Sequence, residues 1–547
     1  MTSTAASHSP WEELVTSALL GTDRRTPPAG LVPPGKDAPA ALLDAAALHT
    51  VRRRAGLLPA PAAERPEPAA HDPRPQLPAA ARRRLAQLLA DRSASSGAGG
   101  RRGSAPDLTE LLPQWLATAN EHGYQAPAST LPALLDAARA RTDLRPQALA
   151  FAGPLGLWLA RLNPEWKYAL RGASGGSALP DPGDAAAVQR LWEEGLFAER
   201  VALLTSVRRR DAAAALALLR TTWATERAED RLMFLDSLRT GLTDADEEFL
   251  EQALSDRSRN VRATAAELLS ALPHSALAAR MAARAASCVS LDRSGDGTGA
   301  AISVEAPHEC DADMQRDGVS PNPPSGRGER SWWLGQLVEA APLATWQGRL
   351  GGRTAEEIVA LPVADDWGDE LHAAWCRAAV RQRDAHWSRA LLGAPGVPPA
   401  SGPGTTSLAE RAKLLATLPE PERAQWVAEF IAAHGLSEAF QLLGVCAVPW
   451  AEPLGRSVVD ALDIARDAGS YPWSFSGVMG LAERCLSPEE APRLEILTTT
   501  PDEREGASPG AGGYWSEAFQ RLVSTLRLRA EMGVELGAVL SPTPPLP

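Results

Sequence analysis

The sequence predicts an all-α fold, an irregular solenoid of helical hairpins in two halves with disordered linkers, and three observations carry that expectation. First, Ala, Leu, Arg and Glu recur at helical spacing between the linkers, whereas Val, Ile, Thr and Tyr rarely alternate with polar residues over a strand length. Second, Ser9-Pro10-Trp11-Glu12 and Ser487-Pro488-Glu489-Glu490 each offer a serine cap, a proline in the first turn and a glutamate placed to bond back to the cap. Third, many periodic segments are 10 to 17 residues long with only a few residues between them, the spacing of antiparallel hairpins.

At 547 residues the chain exceeds what one hydrophobic core fills, so several domains or a stacked array are expected. Only three of its 55 Lys+Arg are lysine (Lys36, Lys167, Lys413), which reads as a high-GC bacterial coding bias. Arginine clusters such as Arg52-Arg53-Arg54, Arg82-Arg83-Arg84 and Arg208-Arg209-Arg210 therefore say little by themselves about nucleic acid. Net charge is -12, and residues 1–110 hold 14 Lys+Arg against 11 Asp+Glu, leaving -15 on the other 437 residues. An acidic body of this kind repels phosphate, so a nucleic-acid partner is disfavoured outside the N-terminal region. The five cysteines are far apart and include no CxxC pair, which points to reduced thiols and a cytoplasmic location. The N-terminus has no secretory pattern. The most apolar stretch, 148–160, is broken by Gly153-Pro154 and is too short to span a membrane.

Composition divides the chain. Residues 59–78 carry seven prolines, 93–106 are small and polar, and 393–407 combine both characters. The longest such stretch, Asp292 to Arg330, reads as a disordered insertion between two structured halves. The expected organisation is an N-terminal helical region with linkers over 1–140, a helical domain over 141–290, the insertion over 291–330, a C-terminal helical domain over 331–540, and a Pro-rich tail over 541–547.

Along the chain, WEELVTSALLGTDRR (11–25) reads as a helix ended by Gly21, a turn at Thr22-Asp23, and exposed Arg24-Arg25; such a polar loop on a rigid scaffold is a candidate docking site. In DAAAALALLRTTW and EDRLMFLDSLRTGL, Leu232, Leu235, Leu238 and Leu242 share one face. Asp246 to Leu254 then presents Phe249, Leu250, Ala253 and Leu254, with Asp244, Asp246, Glu247 and Glu248 filling a first turn where the helix dipole favours carboxylates. A short connector, Ser255 to Asn260, returns the chain into a helix whose Val261, Ala265, Leu268, Leu269 and Leu272 form one stripe, with Arg262, Thr264, Glu267 and Ser270 elsewhere. Neither helix covers its own apolar face, so stacking of the next hairpin is required. Arg257, Arg259 and Arg262 read as a solvated face plus a turn-organising contact, and they are the second candidate interaction set.

The spacing of Asp256, Val261-Arg262, Ala265-Ala266, Leu269 and Leu272 resembles the second helix of a HEAT repeat, a family in which the aspartate and arginine organise inter-repeat turns. The segment upstream lacks the Val-Arg pair, so the array is expected to be HEAT-like and irregular. WEELVTSALLGTDRR together with NPEW (163–166) and the tryptophan-rich layout resembles an uncharacterised actinobacterial family of long helical proteins. That resemblance implies gene neighbours encoding a MoxR-type AAA+ ATPase, a von Willebrand factor A-domain protein and a SWIM zinc-finger protein, hence a shared complex. It supplies no functional residues. Sixteen tryptophans among 28 aromatic residues are read as core packing, with Trp450 and Trp473, each after a proline, lying over the first turn of their own hairpins. The competing reading is an exposed aromatic patch that anchors an interface.

Catalytic and cofactor patterns fail on their own chemistry. Gly30 to Lys36 has phosphate-loop spacing, but Asp37 stands where a hydroxyl is needed and Pro33-Pro34 donate no amide hydrogens. The GxSxG matches at 172–176 and 506–510 lie in small-residue loops without a preceding strand. Asp292, Ser294, Asp296 and Gly297 begin a calcium loop that has Ser303 where its bidentate glutamate belongs. His308-Glu309-Cys310-Asp311 mixes hard and soft ligands, and His372 with Cys376 shares a helix face but lacks a third zinc ligand. The expectation is a non-catalytic scaffold or adaptor without cofactor or metal that binds a protein partner, the MoxR-type ATPase or the von Willebrand A-domain protein. The alternative is a HEAT-like nucleic-acid binder or DNA-base glycosylase that uses the arginines at 52–54 and 82–84.

Overall fold

A computed structural model describes residues 10–25, 37–55, 66–95, 105–172, 180, 182–293, 300–397, 407–499 and 508–537, the side chains of 10, 91–95 and 171–172 excepted. The fold is all-α, with 27 α-helices and one two-stranded hairpin among these residues. The chain divides into two compact units at Ala70/His71.

The first unit holds α1 (Pro10–Leu20) and α2 (Ala38–Arg54). Gly21 ends α1 at φ +84°, and its carbonyl accepts from the amides of Arg24 (3.1 Å) and Arg25 (3.0 Å), closing the turn expected there.

The second unit starts with α3 (Ala79–Ser95), α4 (Leu108–Glu121), α5 (Leu131–Ala140), α6 (Arg145–Leu162) and α7 (Lys167–Gly172). Their apolar faces meet around Trp115 and Phe151, whose rings pack edge to face at 5.7 Å. Gly153 kinks α6 at φ +58°, and a Cβ there would lie 2.2 Å from the Arg74 guanidinium. That guanidinium donates to the Ala150 (2.8 Å) and Phe151 (3.2 Å) carbonyls freed by the kink. The expected boundary at 140 is not a division, because Leu144 is buried and α3 to α6 share one core across it.

Next come α8 (Ala185–Glu194), α9 (Phe197–Arg210), α10 (Ala212–Thr222), α11 (Ala228–Ser237), α12 (Glu247–Ala253), α13 (Arg259–Ser270) and α14 (Ala276–Cys288). Asp184, Asp211 and Ser275 cap their helices by accepting from the amide three residues on, as short polar side chains do. Val261, Ala265, Leu268 and Leu269 are at most 1% exposed and Leu272 is buried, so the stripe read from sequence is the buried face of α13. Ser270 departs from that reading: it is buried and donates back to the Ala266 carbonyl at 2.6 Å, which lets a hydroxyl enter the core.

The expected disordered insertion is overturned for all of it except residues 294–299, which lie outside the described residues. β1 (Val289–Asp292) pairs antiparallel with β2 (Ala301–Val304) in the register Val289↔Val304, and α15 (Ala312–Arg316) follows. Ile302, Met314, Asp317 and Val319 are buried. Charge explains how so polar a segment is ordered: Arg280 and Arg284 of α14 reach the Asp317 carboxylate at 2.9 and 2.7 Å.

The remainder comprises α16 (Glu329–Ala340), α17 (Ala344–Arg349), α18 (Ala355–Val359), α19 (Gly368–Gln382), α20 (Ala385–Leu392), α21 (Leu408–Leu415), α22 (Glu420–His434), α23 (Leu436–Leu443), α24 (Glu452–Asp467), α25 (Ser476–Cys485), α26 (Ala491–Leu494) and α27 (Ala511–Gly537). One continuous core runs from Val188 to Leu526, and α14 packs directly on α16 across the hairpin, so the stretch does not separate two halves. The far end of α27 returns to the start of this unit. There Met532 and Leu536 enter the Trp115 core, and Glu535 accepts from Arg84 at 2.8 Å. None of the described helices is long and apolar enough to cross a membrane.

Candidate functional site

Arginines that grip backbone carbonyls recur at the connectors of the second unit. Arg208 donates to the carbonyls of Leu238 (3.2 Å), Thr240 (2.7 Å) and Gly241 (3.0 Å), and Arg423 to those of Leu418 (2.8 Å) and Val445 (2.6 Å). Arg262 likewise holds the carbonyls of Asp256 (2.7 Å) and Arg257 (3.1 Å). Asp256 accepts from the Ser258 amide at 2.8 Å and pairs with Arg231 of α11 at 2.9 Å. Asp256 thus joins this connector to α11, whereas Arg262 closes the connector on itself.

This accounts for part of the expected interaction set. Arg262 is a turn clamp, and Arg259 donates to the Ser320 hydroxyl at 2.9 Å while remaining exposed; Arg257 is exposed. In the first unit Thr22 is half-buried and Asp23, Arg24 and Arg25 are exposed. Of the arginine clusters, Arg208 is buried and Arg84 pairs with Glu531 and Glu535, whereas Arg52 to Arg54 are exposed, with the Arg53 guanidinium 4.8 Å from the centre of the Trp11 ring.

Ten of the sixteen tryptophans are buried, Trp450 among them, as the packing reading required. Trp473 is not: it is 55% exposed, stacked on Tyr471 at 4.1 Å with Tyr514 edge-on at 5.2 Å. Its proline opens a 3-10 turn, Pro472 to Phe475, in which Pro472 is buried and the indole is not.

The calcium, phosphate-loop and GxSxG patterns lie wholly or partly outside the described residues. No three His, Cys, Asp or Glu among the described residues are grouped to hold a metal. His372 is lowered in pKa by burial and packs 5.6 Å from Trp375, while burial pushes the Cys376 thiol up to about 12. All five cysteines are free thiols.

The feature with the most chemistry is a groove of about 690 Å³ between α13 and α19, lined also by the connector after α11, by Glu339 of α16 and by α21. Leu242, Leu268, Ala271, Leu272 and Val380 give it an apolar floor. On one wall Arg239 holds Glu267 through two parallel hydrogen bonds of 2.9 and 2.8 Å. The bonds from Arg239 hold the Glu267 carboxyl below the usual carboxylate range; partial burial opposes them, and the charge of Arg381 assists. On the other wall Arg377 (2.6 Å) and Arg381 share the two oxygens of Glu339. Arg383 caps α19 in the left-handed conformation, φ 52° and ψ 40°, and Lys413 is exposed on α21. Neither Arg383 nor Lys413 makes an ion pair among the described residues. The lining therefore carries five cations (Arg239, Arg377, Arg381, Arg383, Lys413) against three carboxylates (Glu267, Glu339, Glu410).

Sequence reading missed this groove. The visible signal was Arg377 and Arg381, one turn apart in the last turns of α19, but cations near a helix C-terminus are usual because they complement its dipole.

No curated protein and no solved structure was similar enough to the chain to be matched. The model of a family of unknown function, DUF5691, matches residues 13–536, nearly the whole length, and the chain belongs to that family.

Proposed function

We propose that this protein is a non-catalytic helical scaffold or adaptor that binds a protein partner through its second unit. The observation that carries the reading is the open groove between α13 and α19, with an apolar floor and charged walls. Such a surface combines apolar contact with orienting charge, and clamps by Arg208 and Arg262 hold the connectors that lead to its α13 side, so binding there needs little reorganisation. The exposed cluster of Tyr471, Trp473 and Tyr514 adds residue types that dominate protein interfaces. The resemblance to an actinobacterial family encoded near a MoxR-type AAA+ ATPase and a von Willebrand A-domain protein makes those two the partners to look for, in the cytoplasm.

The test is affinity purification of the full chain from its native cell after crosslinking, with mass spectrometry. Recovery of the ATPase or the A-domain protein, crosslinked to the second unit, is the expected result. A chain recovered alone overturns the reading. A second reading, a nucleic-acid binder or DNA-base glycosylase, is favoured by exposed Arg52 to Arg54 but loses Arg84 to its pairs with Glu531 and Glu535. Tight duplex binding with a steep salt dependence in a gel-shift titration would support it.

A further inference from the structure

We infer that the groove between α13 and α19 receives an acidic amphipathic segment of a partner protein. Its apolar side chains lie on Leu242, Leu268, Leu272 and Val380, and its carboxylates meet Arg383 and Lys413. The inference rests on the scaffold reading and names the chemistry of what the scaffold takes.

Charge selects the sign of the ligand. Glu267 is occupied by Arg239, both oxygens of Glu339 are occupied by Arg377 and Arg381, and the third carboxylate of the lining, Glu410, is not free. What remains to pair is cationic, on a chain whose net charge is -12. A basic segment would have to break those ion pairs to find a carboxylate, whereas an acidic one finds Arg383 and Lys413 ready.

The floor selects the shape of the ligand. Leu242 and Val380 are only partly covered by the core, so residues that bury them gain transfer free energy that a phosphate backbone cannot supply. Nucleic acid would also meet three carboxylates in the groove walls. An amphipathic peptide satisfies floor and rim together.

Arg383 gives an independent pointer. A residue ending a helix in the left-handed conformation is ordinarily glycine, because a side chain there strains the backbone. Its amide completes the cap by donating to the Val380 carbonyl at 3.3 Å, a bond that glycine would make equally well. The arginine side chain therefore adds nothing to the cap that explains its presence, and strain of this kind is found where a side chain serves a site.

The test measures fluorescence anisotropy of the full chain with two labelled synthetic peptides, one of Leu and Glu and one of Leu and Lys, both at amphipathic helical spacing. The Leu/Glu peptide should bind and weaken as salt is raised, and the Leu/Lys peptide should bind at least tenfold more weakly. Arg383→Gly relieves the strained backbone and Lys413→Gln alters an exposed position, so the double variant should fold, as its thermal melt will verify, yet lose about tenfold in affinity for the Leu/Glu peptide. Val380→Glu, placed on the floor, should also weaken it and serves should the double variant melt early. Equal binding of the two peptides, unchanged affinity in both variants, or preference for duplex DNA overturns the assignment. If the partner is recovered from cells while the Leu/Glu peptide does not bind, the groove assignment falls and the scaffold reading stands; if neither occurs, both fall.

Discussion

Arg208 and Asp246 form a bidentate ion pair, Nη1 to Oδ1 at 3.1 Å and Nη2 to Oδ2 at 2.9 Å, with both side chains closed off from solvent. The pair joins the end of α9 to the start of α12, and Asp246 also accepts from the Thr243 amide at 3.0 Å. Removing one partner leaves an uncompensated buried charge. Asp246→Ala should therefore destabilise the protein by about 3–5 kcal/mol in urea unfolding. Replacing both residues by Met and Leu should recover much of that loss, whereas a double variant no more stable than Asp246→Ala would show that the carbonyl clamps of Arg208 carry the connector instead.

Leu269 and Arg257 lie close together in sequence and should behave oppositely. Leu269 is fully buried in α13, and its truncation should cost about 2–5 kcal/mol through the cavity left behind. Arg257 is exposed on the connector, so Arg257→Ala should stay within about 0.5 kcal/mol of the parent. Thermal melts of the two variants rank them directly.

Burial of α13 was legible because its stripe is local: Val261 to Leu272 declare their face within three turns. The groove was not, since its lining comes from positions as distant as Arg239 and Lys413 and exists only after α13, α19 and α21 pack. Trp450 and Trp473 illustrate the same limit. Both follow a proline, yet one is 2% and the other 55% exposed, because the neighbours that cover an indole are not its neighbours in sequence. The stretch from Ala300 to Arg330 misled for a related reason. Its composition is that of a disordered linker, and the apolar and ionic partners that order it, Arg280 and Arg284 among them, lie in flanking helices.

Asp317 makes part of the stability depend on pH. Burial alone would raise its carboxyl, but hydrogen bonds and charge from Arg280 and Arg284 outweigh burial and hold it below the ordinary 3.8. A carboxyl depressed in the folded state contributes stability that is fully present above its unfolded value and fades as pH falls through its folded value. Asp317→Asn should therefore lower stability at neutral pH, and the loss relative to the parent should shrink as pH drops below 3.8. Urea unfolding of both proteins across the acid range reads this out; a difference that does not change with pH would assign the loss to packing.

Thiol chemistry separates the five cysteines by cover. Cys288, Cys376, Cys446 and Cys485 are buried and Cys310 is half-exposed. Burial pushes the Cys446 thiol up to about 11 and the Cys376 thiol up to about 12, so neither holds appreciable thiolate near neutral pH. Cys310 is also raised, by partial burial and then by the charge of Asp311, yet reagent can reach it. A disulfide reagent applied to the native chain should therefore label Cys310 first and slowly, and the other four only after denaturant opens the core. Rapid labelling of Cys376 in the native state would mean that the floor of the groove opens, since this thiol lines it. Peptide mapping of the labelled chain distinguishes these outcomes, and protection of Cys376 by the Leu/Glu peptide would place that ligand over it.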